Sequence, residues 1–124
     1  MEQSQTYQST SRAQDHATTR QLSEDEAVQS ILGALEDPYC RRILEAMTGT
    51  FATAQQISQR CDMPISTTYR KLNTLVEVGL LDTSIQLRRS GHHTKEFALG
   101  FETVTVVMDE DESTRLDIAP LTGD

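Results

Sequence analysis

The sequence lacks the features that mark membrane, secreted and disulfide-rich proteins. Among its 124 residues there is no Trp and only 5% are aromatic, so a hydrophobic core must consist mainly of Leu, Ile, Val and Ala. No stretch approaches the roughly 18 apolar residues of a membrane-spanning helix, and the N-terminus carries no apolar signal region. Two cysteines, Cys40 and Cys61, are too few for a disulfide framework. We therefore expect a cytoplasmic protein that consists of one domain with tails.

The charge of the chain at first argues against a nucleic-acid binder, because DNA is a polyanion and the formal net charge is −8. The charges are unevenly spread, however. Residues 1–37 carry 2 basic and 7 acidic residues, residues 38–100 carry 8 and 5, and residues 101–124 carry 1 and 7. Docking depends on local charge, so the basic middle of the chain is compatible with DNA binding.

Composition divides the chain into three parts. Residues 1–21 include 12 Ser, Thr or Gln residues and almost no aliphatic residue, which predicts a disordered N-terminal tail over residues 1–22. Residues 23–100 form the predicted domain. Residues 101–124 are expected to form a C-terminal extension with strands, an acidic turn and a tail.

Two helices are predicted at the start of the domain. Ser23 and Glu26 fit a capping box, so the first helix is expected to begin at Ser23. Asp37 and Pro38 predict the start of the second, because Asp caps well and Pro suits a first helical position that needs no N–H. Gly49 is expected to end it. The apolar stripes are Val28, Ile31, Leu32 and Leu35 in the first helix and Cys40, Ile43, Leu44 and Met47 in the second.

Two further helices are expected to be separated by a tight turn. Thr53 and Gln56 fit a second capping box. Pro64 cannot continue that helix and therefore predicts a turn. Ser66 is expected to cap a fourth helix, which Gly79 ends. The predicted inward positions are Ala54, Ile57 and Cys61 in the third helix and Tyr69, Leu72, Leu75 and Val76 in the fourth.

After Gly79 the spacing of apolar residues changes to two, which is typical of half-buried strands. A first strand and a returning strand predict a β-hairpin; their alternating positions are Leu81, Thr83, Ile85 and Leu87, and then Phe97 and Leu99. A third strand is predicted at Thr103–Met108 and a fourth at Thr114–Ala119. Val104, Val106 and Met108 are expected to share one face of the third strand, and Leu116 and Ile118 are expected to point inward from the fourth.

Two short helices with a tight turn, followed by a hairpin, predict an α+β fold of the winged helix-turn-helix type with extra C-terminal strands. In this fold the second helix of the pair can present its outer face to a DNA major groove. The expected face carries Thr67, Arg70, Lys71 and Thr74, which share a helical stripe. Arg70 can form two hydrogen bonds to a guanine edge and Thr67 can contact a base, whereas Lys71 is expected to contact phosphate.

Further contacts to the DNA backbone are expected from three places. Ser66 and Thr68 lie near a helix N-terminus, where backbone N–H groups favour a phosphate. Arg41 and Arg42 could contact flanking phosphates. The turn of the hairpin forms a basic wing that could follow the backbone or enter a minor groove; its residues are Arg88, Arg89, His92, His93 and Lys95.

Two runs of residues carry a resemblance to a known family. They are Pro64-Ile65-Ser66-Thr67-Thr68-Tyr69-Arg70-Lys71-Leu72 with Leu75-Val76-Glu77-Val78-Gly79-Leu80-Leu81, and Leu35-Glu36-Asp37-Pro38-Tyr39-Cys40-Arg41-Arg42-Ile43-Leu44. The first resembles the recognition-helix signature of ArsR-like winged helix regulators. The second is similar to the segment, with "D-P" in it, that opens the sequence pattern of that family. The resemblance covers about residues 28–99 and looks closest to the short acidic regulators of salt-loving archaea.

The resemblance implies a homodimeric transcription factor that binds a palindromic site. Metal-sensing members carry paired cysteines at the start of the recognition helix. This sequence has Ser66 and Thr67 there, and its nearby thiol is Cys61, which argues against a metal-sensing role.

Several of these residues have a second interpretation. Exposed Arg and Lys residues are often simply solvated. Tyr69 is expected in the core, although its hydroxyl could reach a phosphate. His92 and His93 could bind metal or sense pH, but adjacent residues of an extended chain point to opposite faces. Cys40 and Cys61 are expected to be buried, with a thiol switch as the alternative.

The expected function is that of a DNA-binding transcriptional regulator. We expect double-stranded DNA and a second copy of the chain as partners, and no membrane, small-molecule ligand, cofactor or metal. A small domain favours extra burial at a dimer interface, for which the first helix and the strands of residues 101–119 are the candidates. The alternative is a winged helix that binds other proteins without specific DNA binding. No nucleophile–base pair, metal cluster or phosphate loop points to an enzyme.

Overall fold

A computed structural model describes residues 18–47, 49, 51–87, 89–111 and 113–121. The prediction of a disordered tail therefore lies outside the described residues over positions 1–17. The described elements, in chain order, are β1 (Arg20–Leu22), α1 (Asp25–Glu36), α2 (Pro38–Ala46), β2 (Ala52–Thr53), α3 (Ala54–Cys61), α4 (Ile65–Glu77), β3 (Leu81–Leu87), β4 (His93–Leu99), β5 (Thr103–Met108) and β6 (Thr114–Ala119). No helix in this part of the chain is long and apolar enough to cross a membrane.

The chain forms two compact units. Ser30–Leu99 make one, here called the helical unit. The described residues up to Gln29 join those from Gly100 onward in the other, here called the strand unit. The prediction that residues 20–22 belong to a disordered tail is wrong, because Arg20–Leu22 form a strand that pairs with β6. The sequence signal was weak there, since Leu22 is the single aliphatic residue of that strand.

Two predicted helix starts are confirmed in atomic detail. The Asp37 side chain accepts hydrogen bonds from the backbone N–H groups of Tyr39 (2.8 Å) and Cys40 (3.4 Å), and Pro38 takes the first helical position of α2. At α3, the Thr53 and Gln56 side chains each accept from the other's backbone N–H, at 3.2 and 2.9 Å. These caps satisfy N–H groups that have no partner within their own helix.

The other two helices begin at positions that differ from the prediction. In α1, the Glu24 carbonyl accepts the first bond, from the Val28 N–H at 2.9 Å, so the helix begins at Asp25 rather than Ser23. In α4, the helix begins at Ile65 with Pro64 at the cap position and no side-chain cap, so Ser66 lies inside the helix. The fixed φ of Pro64, −58°, suits a helix start, so the helix begins directly after it.

The core of the helical unit consists of aliphatic and sulfur-containing side chains, as the composition requires. All four helices and the first residue of β3 contribute to it. Its buried apolar residues are Ile31, Ala34, Cys40, Ile43, Leu44, Met47, Ala52, Ala54, Ile57, Cys61, Met63, Leu72, Leu75, Leu80, Leu81 and Phe97. The single aromatic side chain in this set is Phe97, on the strand that returns from the wing.

The hairpin of the helical unit extends beyond this core. Its sheet has the order β2-β4-β3 and is antiparallel throughout, with Leu81 opposite Leu99 and Leu87 opposite His93. The prediction of inward Ile85 and Leu87 is wrong, because their side chains are 61% and 75% exposed. The alternation of the sequence is real, but the core ends before the strand does.

The strand unit contains a second antiparallel sheet, of order β1-β6-β5. The bounds of β5 and β6 match the prediction, and Leu116 and Ile118 of the central strand are buried. Val106 and Met108, which were predicted to share a face of this strand, are 48% and 74% exposed. Both lie on β5, at the edge of the sheet.

Polar contacts on β6 hold the turn that joins it to β5. The Arg115 guanidinium donates to Asp109 (3.0 Å) on one side and to both oxygens of Asp117 (2.9 and 3.3 Å) on the other. The two carboxylates raise the pKa of Arg115, with the hydrogen bonds to Asp117 as the largest cause. The acidic turn is thereby partly neutralised by a side chain of its own sheet.

Candidate nucleic-acid interface

Helices α3 and α4 form a helix-turn-helix. Asp62 ends α3 in a left-handed conformation, at φ 54°, and its N–H donates to the last turn of the helix. The Ser58 hydroxyl donates to the Met63 carbonyl at 2.5 Å, and the Met63 N–H donates to the Ser58 carbonyl at 3.0 Å. Because the polar groups of this short turn are satisfied, the chain can restart at once as α4.

The face of α4 that is exposed to solvent is not centred on the predicted stripe. It is turned about the helix axis by about 100°, which corresponds to one residue. Its exposed side chains after the first residue are Ser66, Tyr69, Arg70, Asn73, Thr74 and Glu77. Thr67 and Lys71, which were expected in the middle of the face, are half-buried on its flank. Arg70 and Thr74 therefore lie where the sequence predicted them, whereas Asn73 and Tyr69 are additions to the face.

Thr68 was expected to contact a phosphate and Tyr69 to lie in the core, but Thr68 is the one that is buried and Tyr69 the one that is exposed. Thr68 is fully buried, and its hydroxyl donates to the Pro64 carbonyl at 2.9 Å. Tyr69, predicted in the core, is 50% exposed. The buried stripe runs through Leu72 and Leu75, and Thr68 continues it by one further turn. A threonine can be buried there because its hydroxyl bonds within its own helix, and its burial leaves it no surface for a phosphate.

Lys71 is held by the cap of α2. Its ammonium lies 2.5 Å from the Oδ2 atom of Asp37, and the two side chains are only 20% and 25% exposed. The same ammonium lies 5.8 Å from the centre of the Tyr39 ring. The hydrogen bond from Lys71 is the largest cause that lowers the pKa of the Asp37 carboxyl below its ordinary value. Lys71 thus has an intramolecular partner in the position where a phosphate contact was expected.

Arg70 contrasts with its neighbour. The residue is exposed, and within the described part of the chain its guanidinium has no hydrogen bond or ion pair. A guanidinium carries five N–H donors in a fixed planar fork. The free side chain on the exposed face of α4 is therefore able to form two parallel hydrogen bonds to a base edge or a phosphate.

Arg41 and Arg42 both bind backbone carbonyl groups of their own unit. The Arg41 guanidinium donates to the Leu35 carbonyl at 2.7 Å and to the Glu36 carbonyl at 3.0 Å. The Arg42 guanidinium donates to the Cys61 carbonyl at 3.2 Å and lies 5.5 Å from the centre of the Tyr39 ring. These bonds satisfy carbonyls at the ends of α1 and α3, so both arginines have structural partners.

The wing presents its basic residues to solvent. Arg89, His92, His93 and Lys95 are exposed, and Gly91 takes a φ of 91° at the turn, which suits Gly. The hydroxyl of Ser90 lies 3.2 Å from the Nδ1 atom of His92. Arg88 lies outside the described residues. Lys95 lies 5.6 Å from the centre of the Phe97 ring, so its stem follows the wing while its ammonium remains accessible.

The two cysteines are buried and unpaired, as predicted. Burial raises the pKa of both the Cys40 and the Cys61 thiol. The Cys61 thiol lies 3.7 Å from the carbonyl oxygen of Arg42, to which it donates. A reactive thiol requires exposure and a lowered pKa, and these two side chains have the opposite properties.

Comparison with known proteins agrees with this geometry. Residues 35–84 match a family model described as a helix-turn-helix domain. A crystal structure of an ArsR family transcriptional regulator superposes with a TM-score of 0.50 at 23% identity, over 59% of this chain and 75% of that one. A possible transcriptional regulator from Methanosarcina mazei Go1 is matched with a TM-score of 0.48 at 15% identity, over 64% of this chain and 73% of that one. No curated protein matches the sequence.

The predicted α+β fold of the winged helix-turn-helix type is confirmed. The matched residues 35–84 contain α2, the whole α3–turn–α4 arrangement and the start of β3. The residues that would contact DNA are not identified by these matches.

Proposed function

We propose, from the ArsR-like helix-turn-helix domain that this chain carries, that the protein is a regulator of transcription that binds specific double-stranded DNA. Helix α4 enters the major groove, and the wing between β3 and β4 follows the backbone or the adjacent minor groove. Both elements belong to the helical unit, so the proposal uses a single unit of the chain. A major groove is wide enough to admit an α-helix.

The observation that carries the proposal is the free guanidinium of Arg70 on an otherwise polar, exposed helix face. Exposed arginines are often simply solvated, but this one lies on the second helix of a helix-turn-helix, whose outer face can enter a major groove. We assign Arg70 to a guanine edge, where an arginine forms two hydrogen bonds. Asn73, three residues further along the same face, has the amide that pairs with adenine. Ser66, Thr74 and the flanking Thr67 are assigned to the backbone or to base edges beside these two.

The wing supplies contacts that do not depend on sequence. Arg89, His92 and Lys95 are exposed basic residues on one hairpin, and Arg88 continues the run in the sequence. Contacts of this kind fix the orientation of a protein on the duplex and make its affinity depend on salt. Arg41 and Arg42 each use one terminal nitrogen on backbone carbonyls, and we assign their remaining N–H donors to flanking phosphates.

We also propose that the regulator is a homodimer, with strand β5 at the interface. This strand has six residues, none of them charged and none of them Pro. Natural edge strands are normally protected by short length, by charge or by Pro. The opposite edge of the same sheet, β1, has three residues and includes Arg20. If two copies joined their β5 strands, the exposed Val106 and Met108 would gain cross-strand neighbours on the same face of the sheet.

Selection of bound sequences from a pool of randomised DNA duplexes tests the proposed function. We expect the wild type to enrich a palindrome and Arg70→Ala to lose the guanine preference at one position per half-site. Arg60→Ala, which removes the same charge from an exposed position on α3, is the matched control and should keep the wild-type preference. An Arg70→Ala variant with unchanged preference would remove Arg70 as a base reader.

One observation favours a second candidate, a winged helix that binds another protein. Ile85 and Leu87 lie two residues apart on β3 and are 61% and 75% exposed. Exposed aliphatic side chains on one face of a strand are typical of a protein contact. No enriched sequence at any salt concentration, with a folded protein, would favour this candidate over the regulator.

A further inference from the structure

Arg70 and Lys71 are the two basic residues of α4, and they have opposite environments. Arg70 is exposed, whereas the Lys71 side chain is 20% exposed and its ammonium contacts the Asp37 carboxylate at 2.5 Å. The partner lies 34 residues away in the chain. The pair therefore joins the helix proposed to read DNA to the first turn of α2.

Asp37 has two tasks that use different atoms. Its Oδ1 atom accepts the N–H bonds that cap α2, from Tyr39 and Cys40. Its Oδ2 atom accepts from Lys71. An asparagine can carry out the first task, because Asn and Asp cap helices about equally well. It cannot carry out the second, because it has no negative charge.

The Tyr39 ring completes the arrangement. Lys71 lies 5.8 Å and Arg42 lies 5.5 Å from the ring centre, so two cations share one aromatic ring. Arg42 is tied to the Cys61 carbonyl as well. Lys71 is thereby held between a carboxylate and an aromatic ring, and both partners belong to the start of α2.

We propose that Asp37 is a positioning residue that withholds Lys71 from DNA, so that α4 approaches the groove with Arg70 as its one available cation. The inference rests on the proposed DNA-binding function. A lysine contact to phosphate adds affinity for every sequence alike. Neutralising Lys71 within the protein therefore lowers non-specific binding while the contacts of Arg70 to bases are kept, and specificity rises.

The salt dependence of binding measures this effect directly. Each phosphate contact contributes about 0.9 to the slope of log affinity against log salt concentration on duplex DNA. One additional contact therefore makes affinity fall about 3.5-fold more between about 50 and 200 mM salt. Stability measurements alone do not register the number of phosphate contacts, so the slope separates the proposed role from a purely structural one.

Three proteins are compared on a duplex of random sequence: the wild type, Asp37→Asn, and the double variant Asp37→Asn with Lys71→Met. The double variant has the same net charge as the wild type and is the matched control. We expect Asp37→Asn to bind more tightly with a slope steeper by about 0.9, and the double variant to return to the wild-type slope. Circular dichroism of each variant verifies that the helices are retained.

The possible results separate the two proposals. A wild type that binds no DNA would overturn the proposed function and this inference together. A wild type that binds with a measurable slope, beside an Asp37→Asn variant of the same slope, would overturn only the inference. A double variant with a slope shallower than that of the wild type by about 0.9 would also overturn it, because Lys71 would then already contact phosphate.

Discussion

The exposed face of α4 and the exposed edge of β5 are opposite kinds of surface in one small protein. The α4 face carries hydroxyl, amide and guanidinium groups, with Arg70 as its free cation. The β5 edge carries six uncharged residues, of which Val106 and Met108 are 48% and 74% exposed. A polar face with directed donors suits the edges of bases, whereas an uncharged strand edge suits another strand. A protein with a net charge of −8 therefore has a polar surface on α4 and an uncharged surface on β5.

Loss of the core beneath α4 should have the largest effect. Leu72 is fully buried, and its replacement by Ala should lower the free energy of unfolding by about 2–5 kcal/mol, because a cavity is left in the helical core. Gln55→Ala, at an exposed position of α3, is the comparison and should change the free energy of unfolding by less than about 0.5 kcal/mol, as exposed positions do. Denaturant unfolding measures both. A similar loss in the two variants would show that the core of the molecule has been assigned wrongly.

Removal of the free cation should affect DNA and leave the dimer intact. Arg70→Ala should weaken binding to the selected palindrome by about 1–3 kcal/mol, since a two-bond contact to one base is lost. Titration of labelled DNA measures the change. Sedimentation of the variant should give the wild-type mass, and a dissociated Arg70→Ala protein would contradict the separation of the two surfaces.

A charge on the edge of β5 should weaken the dimer rather than the contact between α4 and DNA. Val106→Lys should raise the dimer dissociation constant by at least about tenfold, or about 1.4 kcal/mol, because a lysine at this position would place two like charges at the proposed strand pair. Analytical ultracentrifugation over a range of concentrations measures it. Gln21→Lys on β1, at the opposite edge of the sheet, is the control and should leave the mass unchanged. A wild type that is monomeric at all concentrations would remove β5 as an interface.

Acid should weaken the link between α2 and α4. The lowered pKa of Asp37 means that its ion pair stabilises the folded state above the ordinary carboxyl value of 3.8, and that this stabilisation is lost as the pH falls through the folded-state pKa. As the pH is lowered from 6, the free energy of unfolding should therefore fall more steeply in the wild type than in Asp37→Asn. Lys71→Met, which removes the other partner of the pair, should show the same shallower loss as Asp37→Asn.

The smallest effect is expected at the wing. Arg89→Ala should lower affinity about equally for all DNA sequences and reduce the salt slope by about 0.9, because one phosphate contact is lost. Gln86→Ala, an uncharged change on the same hairpin, is the control. A change in sequence preference in Arg89→Ala would instead assign the wing to base reading.

Much of the fold could be predicted because its signals are local. Asp37 with Pro38, and Thr53 with Gln56, begin helices through bonds to residues at most three positions away. The alternation of apolar and polar residues predicted the spans of β5 and β6. Strand β1 was missed because its pairing with β6 arises from the far end of the chain, and three residues with one aliphatic side chain carry no pattern of their own.

The candidate site could be predicted only in part. Arg70 and Thr74 were placed correctly on the exposed face of α4, because helical spacing alone puts them on one side. Asn73 was overlooked although it lies three residues from Arg70, since the basic residues were given more weight. The burial of Thr68 could have been suspected from its spacing to Leu72 and Leu75, which extends their stripe by one turn.

The caps at Asp37 and Thr53, the tight turn at Pro64, the change of spacing after Gly79 and hence the class of fold could be predicted from the sequence alone, because each depends on bonds or sterics within a few residues. The tertiary structure decided which side of α4 faces solvent, that Lys71 pairs with Asp37, and that Ile85 and Leu87 extend beyond the core. These outcomes depend on partners far away in the chain and on where the packed core ends. Local patterns carry no information about either.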